Sequence, residues 1–209
     1  MAATAVSIIA MIITLAFVNG FQEKVADKIF GFWGHIRVQK YETGKSLISE
    51  ELPLTKNTAV ENSLATTPGV VSYQSFATKS AVLESNTEIE GVLIKGIEKN
   101  ENHTALKKFL VAGKWIQFED SLYSKETIVS DAVAKQLQIK LNDTIKVHFV
   151  ATNADAQKTY RKLVVVGFYH TGIDEYDKLF MIADINLIRR INNWEPDQIG
   201  GYEVFVDQY

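Results

Sequence analysis

The 209 residues give room for one large globular domain or two small ones. A formal net charge of −3, from 22 basic and 25 acidic residues with no basic run, offers nucleic acid no electrostatic footing. The absence of cysteine excludes disulfides, thiolate metal sites and cysteine nucleophiles together, and three prolines and twelve glycines leave no low-complexity linker.

The chain opens on a segment without charge. From Met1 to Gln22 no side chain is ionisable, and Val6 to Val18 reads VSIIAMIITLAFV. Ser7 and Thr14 are its only polar groups, and both hydroxyls can bond a carbonyl one turn back, which lipid tolerates. The stretch is a little shorter than the ~20 residues that span a bilayer. A signal peptide is the rival reading, but it requires a basic n-region and an A-x-A-like cleavage site, and neither is present. A buried core helix is the third. Residues 1–20 therefore read as the outer end of a transmembrane helix. Residues 21–34 read as its amphipathic, juxtamembrane continuation, with Phe21, Val25 and Ile29 on one stripe. Gly31 and Gly34 are expected to end the helix, with Phe32 and Trp33 at an interface or a domain base.

Residues 35–209 read as an extracytoplasmic domain of α+β class. His35 to Lys40 alternates as a strand. Lys56 to Thr66 reads as a helix with a capping box at Thr58 and Glu61. Val70 to Glu84 and Glu88 to Ile97 form two β runs joined around Ser85-Asn86-Thr87, the second apolar on both faces at Val92, Leu93 and Ile94. Residues 99–113 are a weakly marked place for a division into two subdomains. Beyond Lys114, Thr127 to Ser130 reads as a strand, and Asp131 as the cap of a helix carrying Val133 and Leu137. Thr144 to Val150 alternates cleanly. A polar loop, Thr152 to Thr159, leads to the strand Leu163 to Tyr169. Leu179 to Ala183, a short helix capped by Asp184, and Tyr202 to Asp207 complete the chain.

Chemistry-bearing patterns are missing. The four histidines, His35, His103, His148 and His170, share no ligand spacing, and His148 falls on the polar face of a strand. Asp174, Glu175 and Asp177 lack the glycine-spaced pattern of a calcium loop and read as a solvated turn. No G-x-S-x-G elbow, P-loop or G-x-G-x-x-G occurs, so neither a catalytic residue nor a metal or cofactor site is expected in this chain.

Several stretches resemble a known family in matching order. VNGFQEKVADKIFGFWGHIRV (Val18 to Val38) resembles the end of the first transmembrane helix of FtsX-like, MacB-like ABC transporter permeases, with the lipoprotein-releasing LolC/LolE branch nearest. TPGVVSYQSF (Thr67 to Phe76), GVLIKGIEK (Gly91 to Lys99), IVSDAVAKQLQIKLNDTIKV (Ile128 to Val147) and VVVGFYHTGIDEYDKLFMIADINLIRRI (Val164 to Ile191) follow. The resemblance covers nearly the whole chain. It implies a MacB-like periplasmic core with two α/β-type subdomains, set between two transmembrane helices of a bacterial inner-membrane permease. It further implies a cytoplasmic ABC ATPase subunit, a second permease copy or homologue, and a lipoprotein or lipid substrate. Asn19, Gly20, Phe21, Val25 and Ile29, where the helix leaves the membrane, are expected to couple membrane helix to domain, a simple stiff anchor being the alternative reading. The branch's carrier-gripping hairpin corresponds to Thr152 to Lys162, TNADAQKTYRK. That loop is short and lacks a proline-rich tip, which weakens the case for a periplasmic carrier and leaves Asp155, Gln157, Tyr160 and Arg161 as partner-contact candidates. Cell-wall hydrolase regulation, peptide or drug efflux, or a single-pass sensor are the alternative jobs.

Overall fold

The computed structural model describes residues 2–43, 50–85, 88–119, 122–149 and 159–207. It starts with one unbroken helix, α1 (Ala2–Trp33). At a rise of 1.5 Å per residue, its 32 residues extend about 48 Å. Every residue from Thr4 to Lys24 is exposed, the apolar ones included, and the Thr14 hydroxyl donates to the Ala10 carbonyl at 2.8 Å. The helix is long and apolar enough to cross a membrane. Burial begins at Val25 and is complete at Phe32.

After α1 come β1 (Ile36–Gln39), β2 (Leu54–Thr55), α2 (Thr58–Thr66), β3 (Val70–Glu84), β4 (Ile89–Ile97), α3 (Thr104–Lys107) and β5 (Leu110–Gly113). The second half holds β6 (Glu126–Ser130), α4 (Asp131–Gln136), β7 (Thr144–Phe149), β8 (Thr159–Tyr169), α5 (Asp174–Leu179), β9 (Phe180–Asp184), α6 (Ile185–Asn192), β10 (Gln198–Ile199) and β11 (Gly201–Val206). Nine strands form one sheet in the order β1-β11-β3-β4-β9-β6-β8-β5, with β7 joining β3 to β8. Following the pairs β3-β4-β9-β6-β8-β7 returns to β3, so six of these strands close into a small barrel. The sheet continues across residues 99–113, because β4 pairs in parallel with β9.

Alternation along the strands gives the domain two apolar regions. Leu83, Ile94, Val129, Val147, Leu163, Val165 and Met181 belong to one, with Leu187 and Ile188 of α6. Phe76, Leu93, Ile97, Ile128, Val166, Phe180 and Ile182 belong to the other, with Phe32 and Trp33 of α1. Phe76 and Ala77 are neighbours in β3 yet fall on opposite sides, as the two-residue period of a strand requires. The end of α1 is thus a component of the domain's core.

Two expected helix caps move by a residue, and one expected helix end falls away. Asn57, not Thr58, caps α2, its side chain accepting from the Ala59 amide at 2.9 Å, while Glu61 takes the Tyr202 hydroxyl at 3.1 Å. Ser130, not Asp131, caps α4 by accepting from the Val133 amide, and Asp131 is free to pair with Lys135 one turn on. Gly31 does not end α1 but lies inside it; Gly34 ends it alone. Asp184 caps α6 as expected. The expected hairpin turn at Asn86-Thr87 lies outside the described residues, although β3 and β4 pair antiparallel from Phe76 to Glu84.

Candidate functional site: the joint between membrane helix and domain

The four last carbonyls of a helix need partners, and its C-terminus carries partial negative charge. In α1 the cap itself satisfies the Phe30 carbonyl, and the sheet supplies a cation to the Phe32 carbonyl. Gly34 takes φ +71, the left-handed cap conformation, and its amide donates to the Phe30 carbonyl at 2.8 Å. The next amide, His35, donates to Val204 of β11 at 2.8 Å, so the chain passes from helix cap to sheet edge in one step. A side chain at Gly34 would place its Cβ 3.1 Å from the Val204 carbonyl oxygen.

Beneath the cap lies Lys95 of β4, wholly buried. Its ammonium donates to the Phe32 carbonyl and pairs with Glu203 of β11 at 2.6 Å. It also stands over the Trp33 ring at 4.3 Å and the Phe32 ring at 5.0 Å. Arg37 of β1 also stands over Trp33 at 4.6 Å and over Phe76 at 4.5 Å, and it pairs with Glu51 at 3.0 Å. Glu51 in turn accepts from the Thr78 amide at 2.8 Å and from its hydroxyl at 2.7 Å. Burial pushes the Lys95 ammonium down from its ordinary range and the Glu203 carboxyl up, each opposed by the charge of its partner. Two buried charges of opposite sign therefore hold a helix end that itself presents a negative pole.

The aromatic half of the joint is as dense. The Phe32 ring centroid lies 5.2 Å from Tyr176, 5.4 Å from Phe180 and 5.9 Å from Tyr169, and Trp33 meets Phe180 edge-on at 4.9 Å. At the residue before Phe32, a Cβ on Gly31 would lie 3.1 Å from the Phe109 ring, so glycine there allows the helix and the segment after α3 to approach closely.

The acidic cluster after His170 is not uniformly a solvated turn. Asp174 is exposed and pairs with Lys178, but Asp177 is buried and organises the loop. Its carboxylate accepts from the Thr171 amide and hydroxyl and from the Gly172 amide at 2.8–2.9 Å, and it lies 3.2 Å from His170. This loop leads into α5, which supplies Tyr176 to the joint. No group of His, Asp and Glu able to hold a metal occurs among the described residues. His148, expected to be solvated, pairs with Glu84 at 2.5 Å, and His103 is buried between Gln74 and the Glu98 carbonyl.

Among the expected coupling residues, Asn19, Gly20 and Phe21 lie on the exposed part of α1, Phe21 being 60% exposed, whereas Val25 and Ile29 are partly buried. The joint itself is made higher, by Phe32, Trp33 and Lys95. Of the partner-contact candidates, Asp155 and Gln157 lie outside the described residues. Tyr160 and Arg161 belong to strand β8 rather than to a loop, because the pairing of β7 with β8 begins at Phe149 and Thr159. Tyr160 is exposed, its ring 5.7 Å from His148. Two signals in the sequence point to the joint: single charged residues inside apolar strands, Lys95 between Ile94 and Gly96 and Glu203 between Tyr202 and Val204.

A long apolar helix thus runs into the core of a closed mixed sheet, and comparison with known proteins gives the family to which this arrangement belongs, one of membrane-anchored proteins with an extracytoplasmic domain. The model of the MacB-like periplasmic core domain matches residues 1–200, and the chain belongs to that family. It is 22% identical over 210 residues to the lipoprotein-releasing system transmembrane protein LolE of Haemophilus influenzae, covering 97% of this chain and 48% of that protein. It is 26% identical to LolC of Buchnera aphidicola, covering 95% of this chain and 47% of that protein. The chain thus spans about half the length of the curated relatives it matches. Its fold is that of the extracellular domain of the noncanonic ABC-type transporter YknZ from Gram-positive bacteria, with TM-score 0.52, 17% identity and 83% of each chain covered. The periplasmic region of MacB from Actinobacillus actinomycetemcomitans gives the same TM-score at 15% identity, covering 83% of this chain and 74% of that one.

Proposed function

We propose that this chain is the extracytoplasmic domain, with the end of the first transmembrane helix, of an ABC transporter permease subunit. In this role it couples ATP hydrolysis in a cytoplasmic partner to the release of lipoproteins from the bacterial inner membrane. The observation that carries the reading is the continuity of α1 from an exposed apolar segment into the buried contacts of Phe32, Trp33 and Lys95. A helix locked at its top transmits tilt or rotation to the domain instead of dissipating it in a hinge. The two LolC and LolE relatives support lipoproteins as the cargo. No nucleotide motif lies in this sequence, so the energy comes from the partner. For coupling to work, the domain must bind its cargo differently in the two states that ATP selects.

The test is lipoprotein release by the full-length permease with its ATPase in proteoliposomes. Gly20→Pro, which breaks α1 below the joint, is expected to leave ATP hydrolysis running while release falls at least about tenfold. Release that survives this break unchanged contradicts transmission through the helix. An ATPase that co-purifies with a hydrolase or an efflux channel, and no lipoprotein, keeps the permease and moves its cargo.

A further inference from the structure

Beside α1, at the foot of the domain, lies a groove of about 330 Å³ lined by Lys24, Asp27, Lys28, Gly31, Ala105, Lys108 and Phe109. Three lysines face one aspartate there, although the chain as a whole is acidic. Its inner wall is apolar, made by Gly31, Ala105 and the Phe109 ring. Lys107, next in the chain, is turned away over Trp115 at 5.5 Å, so the groove takes Lys108 alone from that segment. Within the groove Lys24 pairs with Asp27 at 3.7 Å, a long and highly exposed contact.

The height of these residues above the bilayer follows from the helix. Taking Phe21 as the last residue of the apolar segment, Lys24 stands about 4.5 Å and Lys28 about 10 Å further out. The headgroup layer is roughly 5–8 Å thick on each side. Helical side chains lean toward the N-terminus, which here is the membrane side, and lysine extends a charged head from an apolar stem. Lys24 thus reaches down into the headgroup layer, while Lys28 turns its ammonium to the domain behind it and Lys108 approaches from the segment after α3. The Lys28 ammonium rests over Gly172, where an added Cβ would come within 2.5 Å of it, and so links the groove to the loop ordered by Asp177.

We propose that this groove binds the phosphate of an anionic phospholipid headgroup from the outer leaflet, against the base of the helix–domain joint. The proposal rests on α1 spanning the membrane. Lysine binds phosphate as a point charge, and a cation near a lipid surface gains on the order of 1 kcal/mol each, so three together discriminate strongly between anionic and neutral lipid. Bound there, a headgroup fixes the depth and rotation of α1 at the level where the domain takes hold of it.

The experiment uses the chain in nanodiscs of equimolar phosphatidylglycerol and phosphatidylcholine, with native mass spectrometry of the lipid that it retains. The unaltered protein is expected to enrich phosphatidylglycerol. The triple variant Lys24→Gln, Lys28→Gln, Lys108→Gln is expected to lose that enrichment by about tenfold or more. The corresponding triple arginine variant should keep it, and Lys135→Gln, Lys140→Gln, Lys162→Gln, three exposed lysines elsewhere, should leave it unchanged. Equal enrichment in protein and groove variant, or an equal loss in the distant-lysine control, overturns the proposal. Displacement of phosphatidylglycerol by inorganic phosphate at constant ionic strength, at concentrations matching the lipid, overturns the lipid source in favour of the free anion. A chain that does not enter the discs at all contradicts the membrane reading, whereas one that enters without lipid preference contradicts only the groove.

Discussion

The two ends of α1 are built on opposite principles. From Thr4 to Phe21 the helix presents apolar side chains in every direction and is exposed throughout, so its environment must be supplied from outside. Over Phe32 to Gly34 it is enclosed by aromatic rings, capped by a buried ammonium and tied to β11 by a backbone bond. The lower end is defined by composition and tolerates exchange of one apolar residue for another. The upper end is defined by geometry, and its parts are not interchangeable. An anchor that served only to tether would need the first property and not the second.

That contrast is broken most severely at Lys95. Lys95→Ala leaves Glu203 buried without its partner and the Phe32 carbonyl without its donor, and is expected to cost about 3–5 kcal/mol in denaturant unfolding. The double variant Lys95→Met, Glu203→Leu should recover much of that loss in stability, because no charge remains uncompensated. Phe32→Ala, which empties the space among Tyr169, Tyr176 and Phe180, is expected to cost a similar ~3–5 kcal/mol. Gly34→Ala is expected to cost about 1–3 kcal/mol, since it combines a left-handed φ with a 3.1 Å contact to Val204. At the other end, Ile12→Leu should change domain stability by less than about 0.5 kcal/mol, because it lies on the exposed part of α1. A large effect there would erase the distinction between the two ends.

A pH scan sharpens the comparison further. Burial raises the Glu101 carboxyl to about 7, against hydrogen bonds from Ser75 that favour its charged form. The folded state therefore holds this proton more tightly than the unfolded chain. Its stabilising contribution is complete below the ordinary value of 4.5 and is lost as pH rises through 7. Glu101→Gln should raise the unfolding midpoint at pH 8 and leave it nearly unchanged at pH 4. Glu101 binds Ser75 of β3, and β3 pairs with β11, the strand that receives the amide after the helix cap.

Much of the fold was legible because it is local. The β3–β4 pair, β8, β9 and the Asp184 cap all rest on alternation or on a capping side chain near in sequence. Closure of the barrel was not legible, since the pairing of Ala81–Glu84 with Lys146–Phe149 joins segments more than sixty residues apart. The caps at Asn57 and Ser130 were displaced by one residue because adjacent Thr58 and Asp131 are also good cap formers, and only backbone geometry separates them. For the joint, Phe32 and Trp33 were visible as aromatic residues at a helix end, one of the two places expected for them being a domain base. What they pack against depended on Lys95 and Glu203, whose lone charges in apolar strands are signals with no partner identifiable from sequence alone.

The claim that α1 and the domain move as one body is tested most directly by a distance. The chain has no cysteine, so Ile12→Cys on the helix and Val111→Cys on edge strand β5 can be spin-labelled without background. Pulsed electron–electron resonance on the nanodisc-embedded protein is predicted to give one narrow distance distribution, which broadens when Lys95→Ala is added. A broad distribution in the otherwise unaltered protein, or one indifferent to Lys95, would contradict a rigid joint.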